Sequence, residues 1–183
     1  DPESTTDADL VLIAQRLRGL GMKPVMETGA RFLLDSNTKH EPTLMTRDAR
    51  RRDQRVAFYS RVASMGKLLG ADVVSFWAGI DRCPGPDSEA WLLEGVAMAC
   101  DAIRGVGLVP SLEPEPGMAV ETFADYERLR ITLGASAPKL TLDIGHLYAV
   151  WEGDPCEVIA RAAPHLAQVH LEDHCRGVHE HLL

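Results

Sequence analysis

The stretch KLTLDIGHLY, Lys139–Tyr148, decides the fold. Its first half alternates as a strand does, and the chain then delivers an acid, a glycine and a histidine where a buried strand would run out into solvent. Asp143 and His146, three residues apart at such a point, can face one cavity. Four other stretches end the same way: VMETG at 25–29, SFWAG at 75–79, SLEPEPG at 111–117 and QVHLEDH at 168–174.

Helices fill the intervals. Thr6 with Asp9 reads as a capping box, followed by Leu10, Ile13, Leu17 and Leu20 at helical spacing up to Gly21. Lys23–Thr28 reads as a strand and 35–48 as a long polar loop. A helix entered through the arginine-rich 47–55, a solvated face, carries Phe58, Val62, Met65 and Leu69 inward. Asp72–Trp77 is the next strand, and a helix with Leu92, Val96, Cys100 and Ile103 inward follows the 79–87 loop. Leu108–Leu112 is the third strand. Thr122 with Asp125 then starts a helix that buries Phe123, Tyr126 and Leu133. Leu140–Asp143 is the fourth strand, Asp154 with Pro155 opens a short helix, and Ala167–Leu171 is the fifth strand. Five strands thus alternate with five helices, and no tight hairpin joins two strands. That predicts an α/β fold of parallel strands with right-handed crossovers, its functional groups gathered at the carboxyl ends of the strands.

Composition sets the outer bounds. The 183 residues suffice for one domain, and 45% hydrophobic with 25% charged residues is ordinary for a globular protein. The net charge of −8 disfavours a nucleic-acid partner, which would need a basic face. No apolar run approaches the roughly 18 residues of a membrane span and no leader-like pattern opens the chain, so a soluble cytoplasmic protein is the expectation. The four cysteines, with no CxxC pair, indicate neither a disulfide framework nor a thiolate zinc site.

Glu113 or Glu115, Asp143 and His170 offer two carboxylates and an imidazole from three successive strand ends. Such an oxygen and nitrogen set suits Mn, Mg, Co or Zn. Taken singly, the Glu is a loop residue before proline, Asp143 a turn cap and His170 a satisfied buried histidine. Their regular placement is what favours the joint reading. His146 is open between a metal ligand, a substrate contact and a turn histidine bonded to backbone. The histidine-dense tail (His170, His174, His179, His181) is weak evidence alone, and His40 and His165 read as ordinary. At the second strand end, Phe76 and Trp77 must face opposite sides of the sheet, so one of them walls the cavity.

SLEPEPG, LTLDIGH and QVHLED, in this order and one helix–strand unit apart, resemble the xylose-isomerase-like TIM-barrel superfamily, which includes sugar isomerases, sugar epimerases and type IV apurinic endonucleases. ETGARFLLD with KHEPT adds likeness to its sugar phosphate isomerases and epimerases. The resemblance implies a metal held by Glu113, Asp143 and His170, with Glu113 doubling as base. It matches His146 to a histidine that contacts substrate in the epimerases and metal in the endonucleases. Trp77 and Glu115 complete the expected substrate contacts. The endonucleases place a histidine where Trp77 stands, which counts against a multi-zinc nuclease site.

The expected function is therefore isomerisation or epimerisation of a sugar, sugar phosphate or related polyol through an enediolate. The alternatives are a phosphodiester hydrolase and a non-catalytic metabolite-binding barrel. The resemblance also implies an incomplete (β/α)8 barrel with the first two strands, the last strand and its carboxylate absent. Five such strands leave two open edges and one uncovered apolar face. Further strands or a partner chain, as in a homo-oligomer, are expected to cover them, and the chain alone is not expected to be a stable, active monomer.

Overall fold

A computed structural model describes residues 4–171. Five parallel strands form one sheet in sequential order: β1 (Met26–Glu27), β2 (Val73–Phe76), β3 (Val109–Leu112), β4 (Lys139–Asp143) and β5 (Leu166–His170). Around them run α1 (Asp7–Gly19), α2 (Ala49–Leu69), α3 (Pro86–Gly105), α4 (Phe123–Leu133), α5 (Ile144–Val150) and α6 (Pro155–Ala162). This is the α/β half-barrel of a partial TIM barrel, with β1 and β5 at the edges of the described sheet.

The strand period of two sorts the side chains. Val74, Phe76, Leu112, Leu140 and Leu142 point outward and are buried against Tyr59 and Val62 of α2, Val96 and Ile103 of α3, Tyr126 and Leu129 of α4 and Val158 of α6. Each fully buried large side chain contributes about 1.5–3 kcal/mol. The alternate positions Ser75, Ser111 and Thr141 point inward, and the Thr141 hydroxyl joins the other two at 2.9 and 2.8 Å. The middle of the inner face is thus lined by hydroxyls rather than being the apolar face expected.

The helix entries follow the sequence. Thr6 and Thr122 form reciprocal capping boxes with Asp9 and Asp125, Asp48 and Asp154 cap α2 and α6, and Gly70 ends α2 with φ 78°. Four expectations are corrected. Ile13 and Leu20 are exposed, because Leu10 and Ala14 supply the buried face of α1. Arg55 is not solvated but 3% exposed, its Nε donating to Tyr59 Oη at 2.9 Å within a stack on the Phe58 and Tyr59 rings. Leu133 is only half-buried, and Leu129 takes its place. The described residues also hold six α-helices, not five, since α5 begins directly at the end of β4.

α5 forms because Asp143 serves as its N-cap. Its Oδ1 accepts from the amides of Gly145 at 2.7 Å and His146 at 3.3 Å, satisfying donors that a helix start leaves unpaired. His146 is therefore a helical residue rather than a turn histidine. No helix among the described residues is long and apolar enough to cross a membrane.

Candidate metal centre and substrate cleft

The inward row continues past each hydroxyl to the strand end. Two residues beyond Ser75, Ser111 and Thr141 come Trp77, Glu113 and Asp143, on the same face of the sheet. On β5 the register slips between Leu140 and Thr141, so that Gln168 and His170, rather than Ala167 and Val169, stand beside Thr141 and Asp143. Glu113, Asp143 and His170 come together at the mouth of the half-barrel, each with one ligand atom within 4.8 Å of the others, as are those of Glu113, Glu115 and His146.

Each oxygen has a distinct task. Glu113 Oε2 accepts from the Trp77 indole at 2.8 Å, while Oε1 faces His170 Nδ1 at 3.0 Å. Asp143 uses Oδ1 on α5 and turns Oδ2 toward His170 Nδ1 at 3.6 Å and His146 Nε2 at 3.9 Å. His146 places Nδ1 3.0 Å from the Pro114 carbonyl, which can only accept, so Nδ1 carries the proton and Nε2 faces Glu115 Oε2 at 3.6 Å. Glu27 at the end of β1 reaches His170 Nε2 at 3.2 Å and accepts from the Gln168 amide at 2.6 Å.

Glu113 and Asp143 are 3% and 5% exposed, and no lysine or arginine among the described residues pairs with either. Buried carboxylates require compensating positive charge. The demand falls on His170, which its bonds to Asp143, Glu113 and Glu27 push up to about 12 despite partial burial. Burial acts to raise Asp143, but His170, His146 and the amides at the start of α5 outweigh it and leave the carboxyl below its usual range. The cluster thus favours a cation at its centre, either an imidazolium proton or a metal ion on neutral His170. With two carboxylates and an imidazole, it fits a divalent ion.

Glu113, Glu115, Asp143, His146, His170 and Trp77 all line one cleft of about 780 Å³, a volume within the range of small-molecule sites. Trp77 forms its apolar wall while Phe76 packs behind on Tyr59, with ring centroids 5.2 Å apart. Gly29 stands close beside the indole, and a Cβ there would lie 3.0 Å from it and press on the ring.

The cleft also holds residues that the sequence alone did not mark. Glu27 belongs to a strand end that was recognised but given no role. His40, read as ordinary, lines the cleft edge-on to Trp77, with ring centroids 5.2 Å apart. Arg31 and Lys39 line it as well. Arg31 and His40 hold φ values of 47° and 65°, left-handed conformations that cost about 1–3 kcal/mol each and tend to gather at functional sites. His174, His179 and His181 lie outside the described residues.

A second cleft of about 750 Å³, lined by residues of α3 and α4 including Leu92, Leu129 and Ile131, holds no histidine and no such cluster.

A family model described as a xylose isomerase-like TIM barrel matches residues 2–182. No curated protein matches the chain. Among solved structures, an L-ribulose 3-epimerase superposes with a TM-score of 0.77 at 18% identity, covering 94% of this chain and 57% of its own. A D-psicose 3-epimerase crystallised in the presence of D-fructose gives 0.74 at 19% identity, with 94% and 60% covered. A 3-keto-D-glucoside 4-epimerase from E. coli gives 0.70 at 15%, with 90% and 65% covered. At these identities the likeness is one of fold. The chain spans less than two thirds of the length of each of these structures.

Proposed function

This chain belongs to the xylose isomerase-like TIM barrel family, and from that premise we propose that it is a divalent-metal-dependent isomerase or epimerase of a sugar or sugar derivative. The observation that carries the reading is the convergence of Glu113, Asp143 and His170, two of them buried carboxylates with no lysine or arginine partner among the described residues, in a cleft walled by an indole.

Glu113, Asp143 and His170 would hold the ion. Glu27 and Gln168 fix the ring from the Nε2 side, as partners of metal-bound histidines commonly do. A divalent ion held there would supply Lewis acidity at the carbonyl end of the substrate. Glu113, its Oε2 held by Trp77, takes a proton from the carbon beside the substrate carbonyl, leaving an enediolate. Return of a proton to the other face of that carbon gives the epimer, and to the neighbouring carbon the isomer. His146, with Nδ1–H committed to the Pro114 carbonyl, presents Nε2 to a substrate hydroxyl beside Glu115. Trp77 covers the carbon face of the sugar.

The test is incubation of the metal-loaded chain with ketoses, aldoses and their phosphates in deuterated water. The expected result is deuterium at the carbon beside the carbonyl, lost in Glu113→Gln and Asp143→Asn. Absence of exchange with every sugar, or incision of abasic-site DNA abolished by Asp143→Asn, overturns the reading.

A further inference from the structure

The cleft is acidic on one part of its lining and basic on another. Glu27, Glu113, Glu115 and Asp143 make the acidic part, whereas Arg31 and Lys39 stand with His40 on the loop between β1 and α2. Two carboxylates of this loop already have cationic partners: Asp35 pairs with Arg51, and Glu41 pairs with Arg82. Among the described residues, neither Arg31 nor Lys39 has a carboxylate partner, although four carboxylates line the same cleft.

The loop is held in this arrangement by its own backbone. The His40 amide donates to the Arg31 carbonyl at 2.6 Å and the Arg31 amide to His40 Nδ1 at 3.3 Å, bringing residues nine apart in sequence side by side. Because Nδ1 accepts that amide, a neutral His40 ring carries its proton on Nε2 and offers a donor. Burial first, then Lys39, Arg55 and Arg31, hold His40 below its ordinary value, so the region carries excess positive potential. Behind it Arg55 is buried with Nη1 lacking a hydrogen-bond partner, its Nε bonded to the Tyr59 hydroxyl that donates to the Trp77 carbonyl.

We infer that Arg31, Lys39 and His40 form a subsite for an anionic substituent, a phosphate ester or a carboxylate, on the sugar whose carbonyl end lies at Glu113, Asp143 and His170. The inference rests on the isomerase or epimerase reading for the position of that carbonyl end. The two exposed cations, which have no carboxylate partner among the described residues, and the ring donor match an oxyanion by charge and by donor count, whereas a neutral sugar offers neither cation an ionic partner.

Calorimetric titration of the metal-loaded chain with fructose, fructose 6-phosphate and glucuronate tests it. At least one anion is expected to bind about 10- to 100-fold tighter than fructose, the worth of one charge-assisted hydrogen bond, and to weaken with added salt. Which anion does so distinguishes phosphate from carboxylate. Arg31→Gln combined with Lys39→Gln should abolish the preference and leave metal content unchanged, and Lys39→Arg should retain it. Equal binding of fructose and both anions, or a preference surviving in the double variant, overturns the subsite. A chain that binds fructose 6-phosphate through Arg31 and Lys39 but exchanges no substrate proton keeps the subsite and refutes the isomerase reading alone. Exchange on neutral sugars with no anion preference does the reverse.

Discussion

Replacing Trp77 with phenylalanine removes the indole donor to Glu113. The indole Nε1 donates to Glu113 Oε2 at 2.8 Å, and Glu113 is 3% exposed, so the bond joins a neutral donor to a buried charged acceptor. Phenylalanine keeps an aromatic ring in the wall and removes the donor, together with the fused ring that faces Gly29. A hydrogen bond to a charged group contributes about 1.5–3 kcal/mol, which corresponds to roughly 10- to 150-fold in a binding constant. Without it, the carboxylate that is to hold the ion can rotate away from His170 Nδ1. Divalent-metal affinity should fall by about 10- to 100-fold, the usual consequence of removing a partner that orients a ligand. Titration of the metal-free chain with Mn2+ or Co2+ measures this directly. Affinity within about threefold of the parent chain would refute the claim that Trp77 orients a metal-bearing Glu113.

Three further outcomes follow from named contacts. Thr141→Val should lower the denaturant midpoint by the equivalent of about 1–3 kcal/mol, since it removes the hydroxyl that joins Ser75 to Ser111 in the interior; an unchanged midpoint would contradict the ladder. Gly79→Ala should destabilise the chain, because φ is +87° and the new Cβ would lie 2.5 Å from Thr43 Cγ2; equal melting temperatures would contradict that crowding. Bonds to Asp143, Glu113 and Glu27 push His170 from its ordinary 6.5 up to about 12 in the fold. Its contribution to the metal-free fold is therefore complete below about pH 6.5 and declines as pH rises toward 12. The same proton must leave when a metal takes Nδ1, so calorimetry at pH 7 in buffers of different ionisation enthalpy should show about one proton released per ion, and none released would contradict the ligand assignment.

The parts of this molecule legible in the sequence are those governed by a short period. Strand alternation placed Glu113 and Asp143 at strand ends, and strand ends recurring one helix apart gave the parallel order. Side-chain caps at Thr6, Thr122 and Asp154 were equally local, whereas Asp48, the cap of α2, read as part of a loop. What escaped depends on contacts between distant residues. α5 has seven residues with a glycine in its first turn, and only the Asp143 side chain marks its start. Arg55 reads as a surface residue until Tyr59 and Phe58 are seen to enclose it. His40 and Arg31 enter the cleft through a loop that folds back on itself with left-handed backbone at two residues that are not glycine, which no periodicity announces. Glu27 reaches His170 across 143 positions of sequence, from the first strand of the sheet to the last.

The most direct test of the central claim is anomalous diffraction from crystals of the chain grown with Mn2+. The account requires a single strong peak about 2.0–2.3 Å from a carboxylate oxygen of Glu113, a carboxylate oxygen of Asp143 and His170 Nδ1, with the peak absent in Asp143→Asn. A peak between Glu113, Glu115 and His146 instead, or no ordered ion in the cleft at saturating Mn2+, would contradict it.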